Sequence, residues 1–346
     1  MATKKISNRV NISDTKLLLT AILCIAIVFI LVFTAAYGII MAIVDPPSLN
    51  LPSFGNGSGG DNASYPFKQD ISLTVSNSTE DAEGISSDIK SEFAVLLKVD
   101  GNNAEIVASR RSSTVMYPAS LTKIMTLIVV VENLKSEDSL NDVLEIKIPR
   151  GEHSGYGFEI GEKLTVKDLI YAAILQSDGV ACITLAEYIA GSESEFVKMM
   201  NAKARELGLS EKTTLFQNCS GLHHQYHYST AYDMAVITAY AMKNSFCADV
   251  LTAIKHYPVE PFRPGNGCVF WSKVLHDRLN DGSIQPNTAR ILGGKTGLTE
   301  KSTSGYCLAT FANGKDGAKY VLITAKSESW TTVVDDTIKI YNKHIK

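Results

Sequence analysis

The chain has little of what marks a metal-binding or disulfide-stapled protein. Its six cysteines, Cys24, Cys182, Cys219, Cys247, Cys268 and Cys307, form no Cys-x-x-Cys pair and no regular framework, which leaves no zinc or redox motif to read. Cys24 lies in an apolar N-terminal run, so an odd five remain and a core held by disulfides is not expected. An excess of one charge is lacking too. The formal net charge is -3, which gives no reason to expect nucleic acid as a partner. Histidines are scattered apart from His223, His224 and His227. With no cysteine or carboxylate framework beside them, these three read as part of a polar loop rather than a metal site. Hydrophobic residues at 45% and charged residues at 20% exclude collagen-like and disordered classes. No internal repeat is visible.

What is present begins with a long apolar run. From Leu17 to Val44 no charged residue occurs, and about 20 residues suffice to cross a bilayer core. Lys4, Lys5, Arg9 and Lys16 precede the run, opposed only by Asp14, and Asp45 follows it. The positive-inside rule makes residues 1–16 a cytoplasmic tail, residues 17–44 a single transmembrane anchor, and places the rest outside the cytoplasm. Thr34-Ala35-Ala36 offers small residues for signal-peptide cleavage, but an h-region is about 7–15 residues long and this run is longer. A retained anchor in the cell membrane is the expectation. Residues 45–88, with Gly57-Ser58-Gly59-Gly60 and Ser76-Asn77-Ser78-Thr79, read as a flexible linker, because such composition buries too little apolar surface to offset chain entropy.

Residues 89–346 read as one folded domain. Phe93 to Val99 and Ala104 to Ser109 form strands around a turn at Asp100-Gly101-Asn102-Asn103. Pro118 and Ala119 open a helix through Ser120 to about Leu134. Thr165 with Asp168 resembles a capping box before a helix ending near Gln176. A helix from Val180 to Ala190 stops at Gly191, and two more cover about Glu195–Leu207 and Ala231–Lys243. Arg290 to Gly297, Gly305 to Phe311 and Tyr320 to Ala325 read as strands, the last two joined at Asn313-Gly314, before a closing helix from Trp330 to about His344. Strands at both ends around a helical middle predict an α+β fold: an antiparallel sheet flanked by helices, with an inserted helical lobe and a cleft between the two.

The pattern Ser-x-x-Lys occurs three times, at Ser13–Lys16, Ser87–Lys90 and Ser120–Lys123. The first lies in the basic tail and the second at the end of the linker. At the third, residues three apart share a helix face, so Lys123 reaches Ser120 beside the unpaired N–H groups of a helix start. The apolar residues that follow, Ile124 to Val131, predict a rigid and dry support. A second element, Lys295-Thr296-Gly297, lies on a predicted strand after Gly293-Gly294 and suits a ligand carboxylate. Ser177-Asp178-Gly179 falls in a loop between helices.

These three elements, in this order, resemble the signature set of penicillin-binding proteins and class A β-lactamases. The wider sequence is similar to the D-alanyl-D-alanine carboxypeptidases of the low-molecular-weight group, over roughly residues 90 to 346. The similarity is carried by Tyr117 to Thr126, Gly161 to Leu169, Asn218 to His223, His227 to Met234, and Gly294 to Leu308. It implies the β-lactamase/DD-peptidase-like transpeptidase fold and a serine hydrolase that needs no cofactor. The implied partners are peptidoglycan stem peptides ending in D-Ala-D-Ala, with β-lactams as covalent inhibitors.

It also implies roles. Ser120 is the nucleophile, Lys123 its base and Ser177 the proton relay. Lys295 and Thr296 bind the terminal carboxylate, and the backbone N–H of Leu298 joins that of Ser120 in the oxyanion hole. Two positions depart from the family pattern. The second motif usually ends in Asn where this chain has Gly179, and Leu298 stands where His is frequent. Gly179 leaves room for a catalytically weak, wall-binding or regulatory homologue. A β-lactamase is the other alternative, but no Glu-x-x-Leu-Asn segment follows the second motif. The family's C-terminal β domain and amphipathic anchor are expected to be absent, with the N-terminal helix taking over tethering.

Overall fold

The computed structural model describes residues 73–76, 82–259, 268–299 and 305–346. The expected tail and anchor at residues 1–44 lie outside these. Among the described residues, no helix is long and apolar enough to cross a membrane.

The sheet assembles strands from both ends of the sequence. Its members are β1 (Thr74–Ser76), β2 (Glu83–Gly84), β3 (Phe93–Asp100), β4 (Asn103–Arg110), β5 (Ala289–Leu298), β6 (Tyr306–Gly314) and β7 (Lys319–Ser327). The order is β1-β4-β3-β7-β6-β5, with β2 also on β4. The hairpins and the central β3–β7 pair are antiparallel, as expected. Two additions were not anticipated: β1 and β2 pair with β4 in parallel. The linker expected over 45–88 therefore gives way to sheet before its end, where Leu73 and Val75 pack against the core. The Asn313-Gly314 pair is not the turn; both residues stay in β6, and the reversal follows at Gly317, where φ is +81°.

Alternation along the central strands explains their near-continuous apolar sequence. Val95, Leu97, Val321, Ile323 and Phe311 face the helical lobe. Ala94, Leu96, Leu322, Leu308 and Ala312 face the opposite layer with Val333, Ile340 and Tyr341 of the closing helix. With both faces covered, a strand has no polar side to display.

The lobe comprises α1 (Lys123–Glu132), α2 (Val166–Leu175), α3 (Gly179–Ala190), α4 (Glu193–Glu206), α5 (Ala231–Ala241) and α6 (Ser245–Thr252), and α7 (Trp330–His344) closes the chain. The Thr165–Asp168 capping box is present, and Gly191 ends α3 at φ +79°. Helix α6 was not foreseen, although its cap is local: Asn244 Oδ1 accepts from the N–H of Cys247 at 3.0 Å. From Lys123 to Val131 every residue of α1 is buried, as expected of a helix apolar all round. The five described cysteines form no disulfide among themselves.

Candidate active site

The first turn of the nucleophile segment differs from the uniform helix expected. Ala119–Thr122 is a 3-10 turn, and the α-helix begins only at Lys123. Ala119 holds φ +51°, a conformation that costs an L-residue energy unless its surroundings impose it. They do so from two sides. Gly221 packs so closely that a Cβ there would lie 2.0 Å from the Ala119 carbonyl oxygen, and a Cβ on Gly297 would meet Pro118 O at 3.2 Å. The glycines of two motifs thus let a loop and edge strand β5 press on the serine turn.

Within this clamp Lys123 Nζ lies 3.0 Å from Ser120 Oγ and donates to the carbonyl oxygen of Ser220. That carbonyl belongs to a tight turn held by Asn218, whose Oδ1 accepts from the N–H groups of Gly221 at 2.7 Å and Leu222 at 3.0 Å. Thr126 Oγ1 donates to Cys219 O at 2.6 Å, tying the turn to α1. Lys123 is 1% exposed, and burial pulls its amine below the ordinary lysine range. A neutral amine that donates to Ser220 O keeps a lone pair for the serine proton.

The second and third motifs meet each other. Lys295 Nζ lies 2.9 Å from Ser177 Oγ and 2.8 Å from its neighbour's carbonyl, Thr296 O. Lys295 is 1% exposed. Burial first, then the proximity of the basic groups Lys123 and Lys273, holds its amine well below the lysine range. Ser177 sits at φ +57° between α2 and α3, as expected for the motif loop.

Asp178 turns away from the chemistry. Its Oδ1 caps α3 by accepting from Ala181 N at 2.8 Å, and its Oδ2 accepts from Tyr156 N at 2.7 Å. Burial raises its pKa against these N–H bonds.

A cavity of about 490 Å³ opens beside this assembly. Ser120, Lys123 and Leu298 line it, with Ser220, His153 and His223. Ser177, Lys295 and Thr296 are buried.

The histidines of the 223–227 segment separate. His223 lines the cavity and meets Tyr117 edge to face at 4.6 Å. His227 is buried, with Nε2 2.8 Å from Thr122 Oγ1 and Nδ1 accepting from Gln217 N at 3.2 Å. The polar-loop expectation is thus corrected for His227, which is a strut of the serine turn. Nothing in the sequence around it announces this partner 105 residues away.

A serine paired with a buried lysine at the mouth of a cleft, beside an edge strand, defines an acyl-transfer class of site. Residues 76–326 match the peptidase S11 family, described as D-alanyl-D-alanine carboxypeptidase, and the chain belongs to that family. It is 32% identical over 233 residues to the D-alanyl-D-alanine carboxypeptidase DacF of Bacillus subtilis, covering 65% of this chain and 55% of that protein. The chain spans about half the length of the curated relatives it matches. Penicillin-binding protein 5 of Haemophilus influenzae shares the fold, with a TM-score of 0.62 at 24% identity, over 74% of this chain and 71% of that one. Penicillin-binding protein D2 of Listeria monocytogenes in its ampicillin-bound form aligns with a TM-score of 0.62 at 25% identity, over 76% of this chain and all of that one. The expected DD-peptidase-like α+β architecture is therefore the observed one.

Proposed function

We propose that the chain is a serine-type D-Ala-D-Ala carboxypeptidase that trims peptidoglycan stem peptides. The observation that carries this reading is the 3.0 Å approach of Ser120 Oγ to the buried amine of Lys123. Neutral Lys123 takes the hydroxyl proton as Ser120 Oγ bonds to the carbonyl carbon between the two terminal D-alanines. The carbonyl electrons move to oxygen, where the N–H groups of Ser120 and Leu298 receive them. Collapse breaks the C–N bond. The proton passes from Lys123 through Ser177 to the departing amine, leaving free D-alanine and an ester on Ser120. Water then attacks the ester, yields its proton back through Lys123, and releases the shortened peptide.

Lys295 and Thr296 bind the terminal carboxylate. An incoming carboxylate favours the ammonium form of Lys295, which holds charge where the substrate needs it. β-Lactams acylate the same serine and leave slowly. In this reading residues 17–44 anchor the chain in the cell membrane and residues 89–346 work outside it. Release of D-alanine from a pentapeptide tests the proposal, with Ser120→Ala as the control. Release by the wild type no greater than by the control removes the hydrolase reading.

A further inference from the structure

The second motif lacks a side chain at Gly179, yet the space above it is occupied. A Cβ built on Gly179 would lie 2.9 Å from both Cβ and Nδ1 of His153 and 3.1 Å from its Cγ. The imidazole of a residue 26 positions earlier in the chain stands where a side chain at 179 would begin. His153 and Gly179 both line the cleft that holds Ser120 and Lys123.

This placement is built rather than incidental. The backbone of residues 150–153 is closed by His153 N donating to Arg150 O at 2.9 Å and by Arg150 Nε donating to His153 O at 3.2 Å. The loop is then fastened to the motif by three bonds. Gly179 N donates to Ser154 O at 2.9 Å, Ser154 Oγ donates to Ser177 O at 3.2 Å, and Tyr156 N donates to Asp178 Oδ2 at 2.7 Å. Gly155 makes the approach feasible, since at φ +137° a Cβ there would fall 2.2 Å from Asp178 Oδ2. Each residue of Ser177-Asp178-Gly179 thus holds the loop or leaves room for it, and the outcome is an imidazole in the cleft wall.

We infer that His153 supplies, from this loop, the hydrogen-bonding group that the second motif does not carry, and that it positions the peptide substrate by bonding to an amide next to the scissile bond. An imidazole offers one donor and one acceptor when neutral, the same pair that a carboxamide presents to a peptide. His153 and Gly179 are then a matched pair: a side chain from either position can fill the site, but not from both. The inference rests on the acylation reading above and deepens it.

The test uses the full-length protein and four variants: His153→Ala, His153→Asn, Gly179→Asn, and the double variant His153→Ala with Gly179→Asn. Acylation of Ser120 by a fluorescent penicillin and D-alanine release from a pentapeptide are both measured, with kcat and KM separated and thermal unfolding recorded. His153→Ala is expected to lose about tenfold in kcat/KM, the scale of one hydrogen bond, mainly through KM and with little change in melting temperature. His153→Asn recovers part of that loss. Gly179→Asn alone is impaired because two side chains compete for one space, and the double variant is about tenfold better than Gly179→Asn. Should Gly179→Asn fail to fold, the two His153 variants decide. Wild-type kcat/KM in His153→Ala, or a double variant no better than the worse single one, overturns the inference. A wild type that forms no adduct and releases no D-alanine overturns the proposed function instead.

Discussion

His227 meets Thr122, two residues past the nucleophile, through Nε2 at 2.8 Å, and Gln217 N fixes the other nitrogen as an acceptor. The ring is therefore neutral with its proton on Nε2, donating to Thr122. Burial first, then the proximity of the basic groups His224, Lys123 and His223, pushes its pKa down to about 3 from 6.5. The neutral ring stabilises the fold fully above pH 6.5, and this stability is lost as pH falls toward 3, on the order of 5 kcal/mol at about 1.4 kcal/mol per pH unit. Denaturant unfolding at pH 7, 5 and 3.5 is expected to show that slope in the wild type. His227→Gln is expected to be less stable at pH 7 but to lack this part of the acid dependence. Equal slopes in the two proteins would contradict the assignment.

Gly155 is a second structural dependence. Its backbone lies at φ +137° and its missing Cβ makes room for Asp178 Oδ2. Gly155→Ala is expected to cost about 2–4 kcal/mol, combining backbone strain with a displaced hydrogen bond. Amide exchange is expected to accelerate in residues 150–157 before the rest of the lobe. Unchanged exchange in that loop would show that Asp178 does not hold it.

The lysine base sets a pH dependence. Protonated Lys123 has no lone pair for the serine proton, so acylation is lost as pH falls through its lowered pKa. The rate of penicillin acylation is expected to rise from acid pH and level off below the ordinary lysine value of about 10.4. Lys123→Arg, charged at every accessible pH, is expected to lose about 10³-fold or more without a pH-dependent recovery. An inflection at the ordinary lysine value would mean that burial does not tune this amine.

Much of this was legible beforehand, because the elements with strong local signals formed where periodicity and caps placed them. Thr165 with Asp168, Gly191, and the closing helix from Trp330 to His344 are local signals, and the sheet's alternating strands are nearly so. What escaped was long-range. The parallel pairing of Thr74–Ser76 with β4 joins a short polar-flanked segment to a partner about 30 residues on, and three residues carry no usable period. The 3-10 turn at Ala119–Thr122 is imposed by glycines from two distant segments rather than by its own sequence. The site divides in the same way. Ser120 and Lys123 are three residues apart on one turn and were readable, as was the motif order, but His153 and His227 gain their roles only through loops folded onto the serine turn and its neighbour.

The contact of Lys295 with Ser177 predicts a substrate preference. A buried amine whose charged form burial disfavours gains most from a ligand that brings a carboxylate. Stem peptides with a free C-terminus are expected to exceed their C-terminal amides in kcat/KM by about 10²-fold or more, and Lys295→Ala is expected to erase most of that difference. Persistence of the preference in the variant would place carboxylate recognition elsewhere.

The pairing of Ser120 with a neutral Lys123 is tested most directly by the mass of the intact protein after exposure to benzylpenicillin. One adduct of the antibiotic's mass is expected, mapped by peptide analysis to residue 120 and absent from Ser120→Ala. An unmodified wild type, or an adduct on any other residue, would contradict it.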